Sequence, residues 1–178
     1  MQRGNCFGGS FQMSNSQNRE ELAFAYFRQA TTDLDFAAAA YRQFARGEVN
    51  GRTDFFCCII AHCQQAIEKA VKGFLIWYGA TFPFTHQIID WVFHTRGQKK
   101  YKRLLQRRIQ PPILMAAMRV EQFAPTPETK LNTEYPYLAR SVDGHEVWRA
   151  PAEGFTEIEV VQALRAARIV VAVIIMAP

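Results

Sequence analysis

The sequence predicts an all-α protein, an up-and-down antiparallel bundle of four long helices plus one or two short ones. Three observations carry that prediction. Apolar residues recur at steps of three, four and seven over long stretches, the period of a helix that buries one face. Helix stops and starts punctuate those stretches at Gly47, Gly79, Pro111-Pro112 and Thr156 to Glu159, as glycine C-caps, proline breaks and a capping box do. No stretch alternates apolar and polar residues as a half-buried strand would, and no internal repeat is visible.

At 178 residues, 49% apolar and 21% charged, the chain has the size and composition of one domain with a sizeable core. Residues 1–17 form a Gly/Ser/Asn/Gln-rich segment that reads as a flexible tail, with Met13 as an alternative start. Residues 18–178 read as the single helical domain. Helix one is expected from Arg19 to Arg46, capped by Ser16 or Asn18 and stopped by Gly47. Its stripe is Leu22, Tyr26, Ala30, Asp33, Ala37, Ala40 and Phe44, and the alanines Ala37–Ala40 predict close approach of a neighbour. A short polar link then favours an antiparallel hairpin with helix two, Thr53 to Tyr78. On helix two, Phe55, Ile59, Ala66, Ala70, Phe74 and Tyr78 face the core, and Gln64, Gln65, Glu68, Lys69 and Lys72 cluster on the other side. Helix three is expected from His86 to Thr95, with Thr85 as its N-cap. A short basic helix around Leu104 and Leu105 and another from Pro112 to Phe123 follow. Ala124 to Gly154 is proline-rich and aperiodic, and reads as one long loop. The last helix runs from Thr156 to Met176 on a stripe of Val160, Leu164, Ala167, Val171 and Ile174.

Several function classes are excluded early. There is no signal-peptide run at the amino end. The most apolar stretch, Ile169 to Ala177, is about half the length that spans a bilayer, so no membrane role is expected. Phosphate-loop and dinucleotide-turn motifs are absent, and no cofactor is expected. Cys57, Cys58 and Cys63 sit too close on one helix for a disulfide framework, which points to a reducing, cytoplasmic setting. Cys58 and His62 stand one helical turn apart, but no further ligands complete a metal site, so no metal is expected and the cysteines read as core packing.

Four features carry polar chemistry. Gln65, Lys69 and Lys72 form an i, i+4, i+7 row that aims three donors the same way. Facing the start of helix three at Thr85 and His86, they offer a phosphate site; otherwise the row is a solvated face with Glu68 pairing Lys72. Arg96, Lys99, Lys100, Lys102, Arg103, Arg107 and Arg108 make a patch with no acidic residue in it, and Tyr101 within it can stack on a base. The net charge of +5 permits a polyanionic partner without demanding one. Arg140 and His145 have an Arg-x4-His spacing, in which arginine stabilises developing negative charge and histidine serves as general acid or base. Such a pair is expected about once by chance in a chain this rich in arginine.

The run CQQAIEKAVKGFLIWYG followed by FPFTHQI resembles the signature of HEPN domains, named for higher eukaryotes and prokaryotes nucleotide binding. The segment Ala30-Thr-Thr-Asp33-Leu34-Asp-Phe-Ala37 and the later Thr133-Glu134-Tyr135-Pro136 are similar to the same family. The resemblance covers about Glu20 to Met176. It implies an antiparallel helical bundle, often a homodimer, that binds nucleotide or RNA and works with a small nucleotidyltransferase in a toxin-antitoxin-type pair. It also implies roles in binding for Gln65, Glu68, Lys69, Lys72 and His86, with Tyr135 and Pro136. Some relatives are metal-independent ribonucleases with an Arg-x4–6-His motif near the last helix, for which Arg140 and His145 are the matching positions. Glu134 stands where many relatives carry arginine. The expected function is therefore nucleotide or RNA binding. An endoribonuclease is the second reading and a ligand-free interaction domain the third.

Overall fold

A computed structural model of the chain describes residues 16–48, 54–124, 137–140, 143–149, 151 and 154–176. Among the described residues, six helices make the bundle: α1 (Ser16–Ala45), α2 (Asp54–Trp77), α3 (Ile88–His94), α4 (Lys99–Arg108), α5 (Pro111–Glu121) and α6 (Glu157–Ile175). The all-α bundle is as the periodicity predicts, with α1, α2 and α6 the longest members. The structure adds one element to that expectation. Within the expected loop, β1 (Tyr137–Arg140) and β2 (Glu146–Arg149) pair as an antiparallel hairpin. Four-residue strands are too short to display a period, and the turn signal at Asp143-Gly144 fits a loop equally well.

α1 and α2 form the expected antiparallel pair: Phe44 meets Phe56, Asp33 meets Lys69, and Phe24 meets Trp77. Both helices end in a glycine with positive φ, Gly47 at 69° and Gly79 at 74°. At each end the glycine N–H and the following N–H reach back to close the last turn, as with Gly79 N to Ile76 O at 2.9 Å and Ala80 N to Leu75 O at 2.8 Å. Ser16 and Asn18 both lie within α1 rather than capping it, so the helix takes in the last two residues of the expected tail. Ala23, Ala30, Ala37, Ala66 and Ala70 are fully buried. Such small residues let two backbones approach closely; of the alanine run, Ala37 and Ala38 are buried and Ala39 and Ala40 half-buried. α6 begins beside the end of α1, where Tyr41 Oη donates to Glu157 Oε1 at 3.0 Å, and packs along α2. Its start has the predicted capping box, with Thr156 N donating to Glu159 Oε2 at 2.8 Å and Glu159 N to Thr156 Oγ1 at 3.4 Å. All five residues of its predicted stripe are buried.

The α1–α2 pair is tightly packed at Gly73. A Cβ there would sit 2.6 Å from Phe27 Cε1 and 3.0 Å from the Ala23 carbonyl oxygen. Phe27 is itself buried and cannot swing aside. Gly73→Ala is therefore expected to lower stability by about 1–3 kcal/mol through overpacking, although alanine is the better helix former by about 1 kcal/mol. Urea unfolding checks this; a stabilised variant would mean that the helices separate freely.

Candidate functional site

The polar residues of α2 are not a solvated face. They form two knots, each built on one buried carboxylate between a lysine and a histidine. In the first, Asp33 of α1 accepts from Lys69 Nζ at 2.5 Å through Oδ2, while its Oδ1 faces His62 Nδ1 at 3.3 Å. Lys69 Nζ also lies 3.5 Å from Gln65 Oε1, and the half-exposed Phe36 ring is 4.4 Å from the His62 ring. In the second, Glu68 Oε1 accepts from Lys72 Nζ at 2.6 Å, and Oε2 accepts from Gln64 Nε2 at 2.9 Å and faces His86 Nδ1 at 3.1 Å. Gln64 Nε2 lies 3.3 Å from the His86 carbonyl oxygen as well.

The helical period explains why two knots form rather than one cationic row. Lys69 and Lys72 are three residues apart, about 60° around the axis, so Lys69 turns toward α1 and Lys72 toward the α2–α3 loop. There Lys72 Nζ lies 5.9 Å from the Phe82 ring centroid and 5.7 Å from that of Phe84. The Lys72 side chain is only 8% exposed and that of Glu68 9%. The predicted Glu68–Lys72 pairing is present, but it is buried. Two lysines and two carboxylates cancel, so the row offers a phosphate little unmatched charge.

Helix three also differs from expectation at its start. It begins at Ile88, and Thr85 is not its N-cap: Thr85 Oγ1 accepts from Gln87 N at 3.1 Å in a local turn. The free N–H groups of α3 are met by Glu121 from α5. Ile89 N donates to it at 3.0 Å and Asp90 N at 3.3 Å. Glu121 is fully buried. Burial pushes its carboxyl up to about 8; the Ile89 and Asp90 N–H groups pull the other way, and the Glu68 and Asp90 charges add to the rise. The place foreseen for an anion is thus filled by the protein's own Glu121 carboxyl group. Sequence reasoning missed Glu121 and the pairing role of Asp33, and it placed Gln64 in the polar cluster without foreseeing its contacts with Glu68 and His86. A signal for Glu121 existed: Leu114, Ala117 and Glu121 lie on one stripe of α5, with the acid in an otherwise apolar row.

The basic patch does present free charge. On α4, Leu105 and the following Ile109 are buried while Lys99, Lys100, Arg103 and Arg107 are exposed, as is Arg96 before the helix. Lys102 leans over Phe93 at 4.8 Å, and Tyr101 is half-buried with Lys100 Nζ 5.5 Å from its ring. Arg108 turns inward, donating to Tyr78 Oη at 2.7 Å with its guanidinium 5.3 Å from the Phe74 ring. Its Nη1 has no hydrogen-bond acceptor among the described residues. The hairpin brings Arg140 and His145 to one turn. Arg140 ends β1 paired with Glu146, and the exposed His145 directly precedes β2. Tyr135 and Pro136 lie outside the described residues.

Of the cysteines, Cys63 is buried as expected and Cys57 half-buried, but Cys58 is exposed. Burial pushes the Cys63 thiol up to about 12 and that of Cys57 up to about 11, which keeps both protonated and unreactive. Among the described residues no group of three or more His, Cys, Asp or Glu is placed to hold a metal ion. No helix among them is long and apolar enough to cross a membrane.

Comparison with curated proteins gave no match. Among solved structures, the crystal structure of TT1696 from Thermus thermophilus is similar over 92% of this chain and 98% of that one, with a TM-score of 0.49 and 19% identity. A model of the HEPN domain matches residues 26–124. That span takes in most of α1 and all of α2 to α5, more than half of the chain. On this match the chain belongs to the HEPN domain family of helical, nucleotide- and RNA-related proteins.

Proposed function

We propose that the protein binds RNA or a nucleotide, with the exposed cations of α4 meeting phosphates. The observation that carries this reading is the contrast between the two groups of cations. Lys69 and Lys72 are neutralised by Asp33 and Glu68, whereas Lys99, Lys100 and Arg103 are exposed on a helix with no acidic residue. Such a face is an electrostatic footprint for a polyanion. On the same family reading the protein works as a homodimer, beside a small nucleotidyltransferase in a toxin-antitoxin-type pair in the cytoplasm. Fluorescence anisotropy with labelled single-stranded RNA and with ATP, over a range of salt, tests the binding. The variant Lys99→Ala/Lys100→Ala/Arg103→Ala is expected to weaken binding to every RNA sequence. It should also flatten the salt dependence by about 0.7 in slope for each phosphate that its cations no longer neutralise. Wild-type protein that binds neither RNA nor ATP would leave only a ligand-free interaction domain.

The hairpin geometry supports a second reading, an endoribonuclease with His145 as acid or base and Arg140 stabilising charge. RNA incubated with the protein in EDTA tests it, with cleavage expected for wild type and none for His145→Ala.

A further inference from the structure

The loop between α2 and α3 holds an aromatic ring that the fold leaves almost wholly in the open. Phe84 is 97% exposed, yet the residues on either side of it are tied down. Before it, Phe82 packs on the edge of the core, and Pro83 has its φ locked by its own ring. After it, Thr85 accepts from Gln87 N, and His86 is held at two points, its carbonyl near Gln64 and its Nδ1 at Glu68. The ring is therefore presented from a segment fixed at both ends. A carboxylate only accepts hydrogen bonds, so the contact with Glu68 puts a proton of His86 on Nδ1 and leaves Nε2 outside that contact. That side chain is 45% exposed, and its ring stands edge-on to Phe84 with centroids 6.1 Å apart.

We propose that the open face of Phe84 is a stacking platform for a nucleobase, with His86 Nε2 as the polar contact beside it. This rests on the RNA- or nucleotide-binding reading above and gives that reading a base-contacting subsite. Stacking needs a flat ring with one free face, and every base supplies the complementary one. Lys72 Nζ lies 5.7 Å from the Phe84 centroid, and the exposure of the ring leaves a face open to a ligand. A protein partner fits less well. Stable protein interfaces cover roughly 800 Å² per partner around an apolar centre, and this ring stands among Thr81, Pro83, Thr85 and His86. The phosphate charge lies one short helix away: Lys102 of α4 leans over Phe93 near the end of α3, and α3 begins two residues after His86.

The test uses the full chain and short RNA carrying 2-aminopurine, whose emission is quenched when it stacks. Wild type is expected to bind and quench. Phe84→Ala should lose the quenching and bind about tenfold more weakly or worse, the effect of removing one base–aromatic stack, with an unchanged salt slope. Phe84→Trp should keep both. An RNA with an abasic site at the probed position should bind wild type and Phe84→Ala alike. Quenching of the free 2-aminopurine ribonucleotide as well would assign the platform to nucleotides, and quenching of the strand alone would assign it to RNA. If wild type binds RNA and Phe84→Ala binds and quenches equally, the platform is wrong and the binding reading stands. An equal loss on the abasic strand, or a Phe84→Ala defect confined to capture of a protein, also overturns the platform. Wild type that binds neither RNA nor nucleotide overturns both.

Discussion

Glu121→Ala is expected to lower the unfolding free energy by about 2–4 kcal/mol near pH 6. Ile89 N and Asp90 N both donate to this carboxyl, and each buried donor left without an acceptor costs about 1–3 kcal/mol. The opposing relief, removal of a buried acid, is small at that pH because the group is then largely protonated. Amide exchange at Ile89 and Asp90 should accelerate, since α3 would lose its cap. Glu121→Gln keeps an acceptor in place and isolates the effect of the titration. The folded-state value of about 8 lies above the ordinary 4.5, so the folded protein binds this proton more tightly than the unfolded chain does. The stabilisation from protonation is complete below about pH 4.5 and is lost as pH rises to about 8. Wild type should therefore lose stability across that window relative to Glu121→Gln, by up to about 1.4 kcal/mol per pH unit. The other facing groups, Glu68 and Asp90, are common to both proteins and cancel in the comparison. Urea unfolding at pH 5 and pH 8.5 decides it, and identical pH slopes would show that Glu121 stays ionised throughout.

Lys72→Ala should be comparably severe, about 3–5 kcal/mol, because it strands Glu68 at 9% exposure with its main counter-charge gone. Lys69→Ala should cost less. Asp33 keeps His62 as a neighbour, and Lys69 is more exposed, at 18%. The double variant Glu68→Gln/Lys72→Met removes both charges and should recover part of the loss, so a double-mutant cycle measures the coupling directly. Thermal and urea unfolding are the readouts; a Lys72→Ala protein within about 1 kcal/mol of wild type would mean that water reaches Glu68. This bears on the functional tests. A Lys72→Ala protein that fails to bind RNA reports a damaged fold first, whereas exposed Phe84 and the α4 cations can be changed without that confusion.

Much of the scaffold was legible because helix formation is local. The Gly47 and Gly79 stops, the Thr156 capping box and the buried stripe of α6 each depend on residues within a turn or two of one another. The β-hairpin escaped because short strands leave no period to read. The start of α3 escaped because its cap, Glu121, comes from a different helix.

The sequence by itself determined the helices, most of their ends, the family and the cationic face of α4. Only the tertiary structure decided which polar residues remain available to a ligand. Periodicity states the direction in which a side chain leaves its own helix, but not what stands opposite. Asp33 neutralises Lys69 from across the α1–α2 interface, the α2–α3 loop covers Lys72, and Glu121 occupies the start of α3. Those are facts about the distance between elements, and a charge buried at such a distance must find its partner there.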